Sequence, residues 1–105
     1  MDEAQFEAHA GAALDALERS LEMTDLDFEV KPGAVLEIEF DDGSKIIVNR
    51  HGAAREIWVA ARSGGFHFRW DGAAWRDTRS GAELFAALSE LASQQSGRRV
   101  RLSGG

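Results

Sequence analysis

The chain is 105 residues long with a net charge of −6 and no cysteine: enough for one domain, taken as residues 1–105, around one modest core, with no disulfide, thiolate metal centre or thiol chemistry. No apolar run is long enough to span a membrane, and the first residues lack the basic and apolar regions of a signal peptide, so a cytoplasmic protein is expected. Residues 1 to 42 carry thirteen acids against two bases, and the remainder ten bases against five acids; a chain so polarised repels nucleic acid with its acidic half and offers cations or a basic partner an attractive surface there.

Residues 3 to 23 predict a helix. Phe6, Ala10, Ala13, Leu14, Leu17 and Leu21 recur with an amphipathic period and fill an arc of roughly 100° at about 100° per residue. Glu3, Glu7, Asp15, Glu18 and Glu22 fall on a neighbouring arc, so the acids form a stripe beside the core seam.

Short strands follow. In "LDFEV" (26 to 30), Leu26, Phe28 and Val30 alternate inward with Asp27 and Glu29 outward, and Asp25 keeps the same register. Pro32-Gly33 predicts a turn. "VLEIEF" (35 to 40) buries Leu36, Ile38 and Phe40 and exposes Glu37 and Glu39. Asp42-Gly43 is a hairpin signal, ahead of "KIIVN" (45 to 49). "REIWVAARSGGFHFRW" (55 to 70) reads as two strands joined at Gly64-Gly65. Asp71-Gly72 opens another turn before a short strand around Trp75. These turns are too short for crossovers, so consecutive strands pair antiparallel.

Residues 81 to 96 predict a second helix. Ser80 and Glu83 match a capping box, Leu84, Phe85, Leu88, Leu91 and Ala92 form the apolar face, and Gly97 stops it. In the tail "RRVRL", Val100 and Leu102 share one side and can dock. Each helix has one apolar face, so the economical packing is an α+β two-layer sandwich, with two helices on one face of an antiparallel sheet of about six strands. The other sheet face meets solvent.

That face carries an anomaly. If Ile57 and Val59 point to the core, Trp58 points the other way. A large apolar side chain on a solvated face is a candidate anchor for a partner, with neighbouring acids to steer a basic one.

The order of elements across the whole chain, and above all "DGSKIIVNRHGAAREIWVAARSGGFHF" (42 to 68), resembles the bacterial frataxins, the CyaY group. The resemblance implies an α-β-α sandwich and weak iron binding, Fe²⁺ or Fe³⁺, at an acidic ridge. On this chain the ridge maps to Glu18, Glu22, Asp25 and Asp27, with Glu29 as a fifth. It implies sheet-face contacts through Asn49 and Trp58. It also implies association with the cysteine desulfurase and scaffold protein of iron–sulfur cluster assembly, as a regulator of the desulfurase and an iron sensor or iron donor.

The residues themselves add limits. Carboxylates suit hard cations, but a helix stripe beside a strand makes a row of ligands and not a closed shell, so shallow, hydrated, unselective sites are expected. His9, His51 and His67 share no metal-binding motif. Ser44, Ser63 and Ser80 lack a His-acid context in sequence, no Gly-rich phosphate loop is present, and no catalytic constellation is found; a ferroxidase would need a confined site. The alternative function is a metal-independent interaction module using the same acidic ridge and exposed Trp face. Self-repulsion of the acidic half favours a monomer without metal, with iron-dependent assembly the open question.

Overall fold

The computed structural model describes residues 1–104. Helix α1 spans Glu3–Glu22 and is capped by Asp2, whose carboxylate accepts the Gln5 N–H while the Gln5 side chain accepts the Asp2 N–H. Two donors that a helix start leaves unpaired are thereby satisfied. Phe6, Ala10, Ala13, Leu14, Leu17 and Leu21 are all buried, joined by Ala16.

Six strands follow: β1 (Asp27–Lys31), β2 (Val35–Glu39), β3 (Lys45–His51), β4 (Glu56–Ala61), β5 (Gly64–Trp70) and β6 (Trp75–Asp77). Helix α2 (Leu84–Ser96) comes last. Spatial order equals chain order, and every neighbouring pair is antiparallel. Leu36, Ile38, Ile46, Val48, Ile57, Val59, Phe68 and Trp75 meet the apolar faces of α1 and α2 in a single core. The architecture is therefore the two-layer sandwich that the one-sided helices predict. Its outer sheet face carries Glu37, Ile47, Asn49, Trp58, Ala60 and His67, successive partners across β2 to β5.

Buried polar side chains stitch the layers. Gln95 on α2 accepts the Arg62 N–H and donates to Ser44 Oγ and the Lys45 carbonyl, so one amide ties the helix to two hairpins. Behind α2, Gly97 takes the left-handed conformation (φ 75°) that ends the helix. Val100 and Leu102 then dock as expected: Ser93 Oγ and Ser89 Oγ each donate to the carbonyl and accept the N–H of Val100 and Leu102, respectively. Serine hydroxyls thus replace a missing strand neighbour for the tail backbone.

Three local expectations are corrected. The β4–β5 turn lies at Arg62–Ser63; Gly64 and Gly65 are already in β5, opposite Ala61 and Ala60. Helix α2 begins at Leu84, and Glu83 is its own N-cap, accepting the Phe85 and Ala86 N–H groups. Ser80 instead closes the preceding turn with the buried Asp77. Finally, Val30 is 49% exposed. It lies on the edge strand, where neither helix covers its inward-facing side.

Candidate functional site

The site is built on the outer sheet face and the acidic edge beside it. Antiparallel register sets Trp58 opposite both Asn49 and His67, and sets His51 opposite Glu56. The Trp58 ring lies between two imidazoles: His51 at 3.9 Å and 8° from parallel, His67 at 4.5 Å and 9°. Its Nε1–H donates to Glu56 Oε1 at 2.8 Å. Trp58 points away from the core as its register requires, but it is half-buried within this stack.

Glu56 is 5% exposed and is the pivot of the group. Oε2 accepts from Arg69 Nε at 2.7 Å, and Oε1 lies 3.6 Å from His67 Nδ1. Burial opposes ionisation of its carboxyl, but the hydrogen bonds from Trp58 and Arg69, with the Arg69 and His67 charges, outweigh it and hold Glu56 below the usual carboxylate range. The sequence reading places Glu56 on the Trp58 face and His51 among its polar surroundings, and both are neighbours of the ring; it overlooked His67. The available signal was hairpin register: with the turn at Arg62–Ser63, Trp58 must face His67.

The acids lie along the other edge of the sheet. Glu18 is half-buried on α1 and Glu22 is exposed; among the described residues neither makes an ion pair. Asp25 is held by Arg98 through two hydrogen bonds. Asp27 faces Glu39 across β1–β2 and Glu29 faces Glu37. Lys31 lies 3.6 Å from Glu29 and 3.4 Å from Glu37, and Lys45 is 3.3 Å from Glu37. Burial disfavours the Glu37 charge, yet the two lysines hold its carboxyl below the ordinary value.

Asp25 and Asp27 also share a hollow of about 150 Å³ with Glu39, Asp41, Asp42, Gln95, Ser96 and Arg98. Asp42 is lowered by hydrogen bonds from the Ser44 hydroxyl and N–H, which outweigh its partial burial, and by Arg62. Glu39, Asp41 and Asp42 are thus neighbours of the expected ligands, Glu39 through its pairing with Asp27 and the two aspartates through the β2–β3 turn. Glu18 and Glu22 do not line this hollow. Among the described residues, no three His, Cys, Asp or Glu side chains converge on a point that could hold a metal ion. Chemically, the edge is a line of hard oxygen donors, several already engaged by Arg or Lys.

A family model described as a frataxin-like domain matches residues 1–98. The chain belongs to the frataxin-like family, in its bacterial CyaY group. It is 64% identical over 104 residues to the iron-sulfur cluster assembly protein CyaY of Dechloromonas aromatica (strain RCB), covering 97% of this chain and 99% of the relative. It is 54% identical over 101 residues to the protein of the same name from Paraburkholderia xenovorans (strain LB400), covering 95% and 96%. Frataxin from Psychromonas ingrahamii superimposes with a TM-score of 0.88 at 28% identity, over 98% of this chain and 99% of that one. The frataxin fold is the two-layer sandwich described above. No helix among the described residues is long and apolar enough to cross a membrane.

Proposed function

We propose that this frataxin serves iron–sulfur cluster assembly in the cytoplasm as a regulator, without catalysis of its own. In this reading it docks on the cysteine desulfurase and its scaffold protein through the Trp58–Asn49 sheet face, and it carries iron weakly as cargo or signal along Glu18, Glu22, Asp25, Asp27 and Glu29. The name shared by relatives at 64% and 54% identity supports the assignment to cluster assembly. The observation that carries the docking mode is the juxtaposition of an acidic edge and an aromatic anchor on one uncovered sheet. The acids accelerate encounter with a basic partner, and the indole supplies the apolar contact that slows its release.

The ligand row accounts for the iron side as shallow, partly hydrated binding, because carboxylates favour hard cations but do not close around one here. A second reading, a metal-independent interaction module, is favoured by the engagement of Asp25 with Arg98 and of Glu29 with Lys31. Binding of the chain to purified cysteine desulfurase, measured with and without ferrous iron under anaerobic conditions, separates the two. Iron-dependent affinity is the expected outcome; iron-independent affinity selects the second reading, and no affinity in either condition rejects both.

A further inference from the structure

We propose that the His51–Trp58–His67 stack is a proton-operated gate on the docking face, open to a basic partner only while both imidazoles are neutral; this rests on the docking reading above. The geometry fixes the protonation state of one of the two imidazoles. His51 Nδ1 accepts the Ala54 N–H at 3.2 Å. An accepting nitrogen carries no proton, so His51 is neutral in this arrangement. A proton on Nδ1 replaces an acceptor with a donor and expels the Ala54 N–H from this side-chain partner. The β3–β4 turn that bond closes already holds Arg55 in the left-handed region (φ 55°), a conformation that costs a non-glycine residue energy. Protonation therefore loosens both the turn and one wall of the Trp58 clamp.

His67 responds differently. Its Nδ1 faces Glu56 Oε1, the atom that also accepts the Trp58 Nε1–H. A proton on His67 draws on the same carboxylate oxygen that orients the indole. The fixed charges around the stack are nearly balanced: from β5 Arg69 pairs with Glu56 of β4, from β6 Arg76 pairs with Asp71, and in the turn Arg55 bonds the Gly52 carbonyl; Asn49 on β3 is neutral. The two histidines thus decide how far the local charge rises, from the single positive charge that Arg55 leaves to three positive charges around Trp58. Histidine is the side chain whose ordinary titration spans pH 5 to 8. A cationic partner drawn by the acidic edge meets repulsion at the anchor once they protonate.

The test has two arms. In the first, the Trp58 indole N–H and the His51 and His67 ring signals are followed by NMR from pH 8 to 5 in the wild type, His51→Gln, His67→Gln and the double variant. The indole signal is expected to move together with the imidazole titrations in the wild type and to be flat in the double variant. In the second, affinity for purified cysteine desulfurase is measured at pH 7.5 and 5.5 for the wild type, the double variant and Trp58→Ala. The wild type is expected to lose about tenfold or more, because a basic partner then meets positive charge on both sides of its anchor. The double variant should lose clearly less, which also removes titration of the partner from the comparison. A wild-type indole signal that ignores pH, or equal losses in wild type and double variant, overturns the gate. Unchanged affinity in Trp58→Ala overturns the docking reading itself, and the gate with it, whatever the first arm shows.

Discussion

Arg98, in the tail behind α2, closes on Asp25 just ahead of β1 with Nη2 to Oδ1 at 2.6 Å and Nη1 to Oδ2 at 2.9 Å. Both side chains are more than half exposed, so the pair itself contributes about 1 kcal/mol of stability or less. Its larger effect is electrostatic: it places a guanidinium on the wall of the hollow that Asp25 shares with Asp27 and Asp42.

Arg98→Ala should therefore cost little in denaturant melts but strengthen cation binding at this end of the acidic edge. Anaerobic titration with Fe²⁺, read from the amide signals of Asp25 and Asp27, checks it. Unchanged affinity removes Asp25 from the proposed ligand set.

Glu18 and Glu22 lie on the helix without ion-pair partners among the described residues, so their mutual repulsion is uncompensated. Replacing both with Gln should raise the metal-free melting temperature and blunt the stabilisation that added metal brings. In the wild type, a cation at 100 times its dissociation constant should add roughly 2.7 kcal/mol if it binds only the folded form. Thermal melts with and without metal measure both effects, and a drop in metal-free stability shows the two acids to be structurally paired.

Trp58→Ala removes a half-buried ring from between two imidazoles and takes a donor from Glu56. The expected cost is about 1–2 kcal/mol, above the roughly 0.5 kcal/mol of ordinary surface changes and below the roughly 3–5 kcal/mol of a buried aromatic. Partner affinity should fall by about 2 kcal/mol or more. Denaturant melts paired with calorimetric binding give the two numbers, and a folding loss at the buried-aromatic level places Trp58 in the core.

Glu56→Gln keeps an acceptor for Trp58 but gives up the charge facing Arg69. Because the folded-state pKa of Glu56 lies below that of the unfolded chain, its stabilisation is present above the ordinary carboxylate range and disappears as pH falls through the lowered folded value. The variant should be about 1–2 kcal/mol less stable than wild type at pH 7, with the gap closing toward pH 3. A gap that is constant with pH assigns the loss to packing and not to charge.

The periodicities by themselves determined both helices, the six strands and the one-sided core, because amphipathic faces of period 3.6 and 2 can be buried together in few ways. They also put Trp58 on the opposite side from Ile57 and Val59, since alternation along a strand holds whatever its partners are. What pairs with what was decided by tertiary structure. Placing the β4–β5 turn at Gly64-Gly65 keeps every face correct but sets Trp58 against Asp71; the turn at Arg62–Ser63 sets it against His67, and only then does the stack over Glu56 exist. Glu83 caps α2 because Asp77 draws Ser80 into the turn before it, a competition between nearby side chains that the capping-box spacing does not express. The acids were countable from the sequence, but whether each is free or engaged was not. Asp25 meets a guanidinium 73 residues away, and a contact over that distance along the chain exists only once Val100 and Leu102 have docked the tail beside α2.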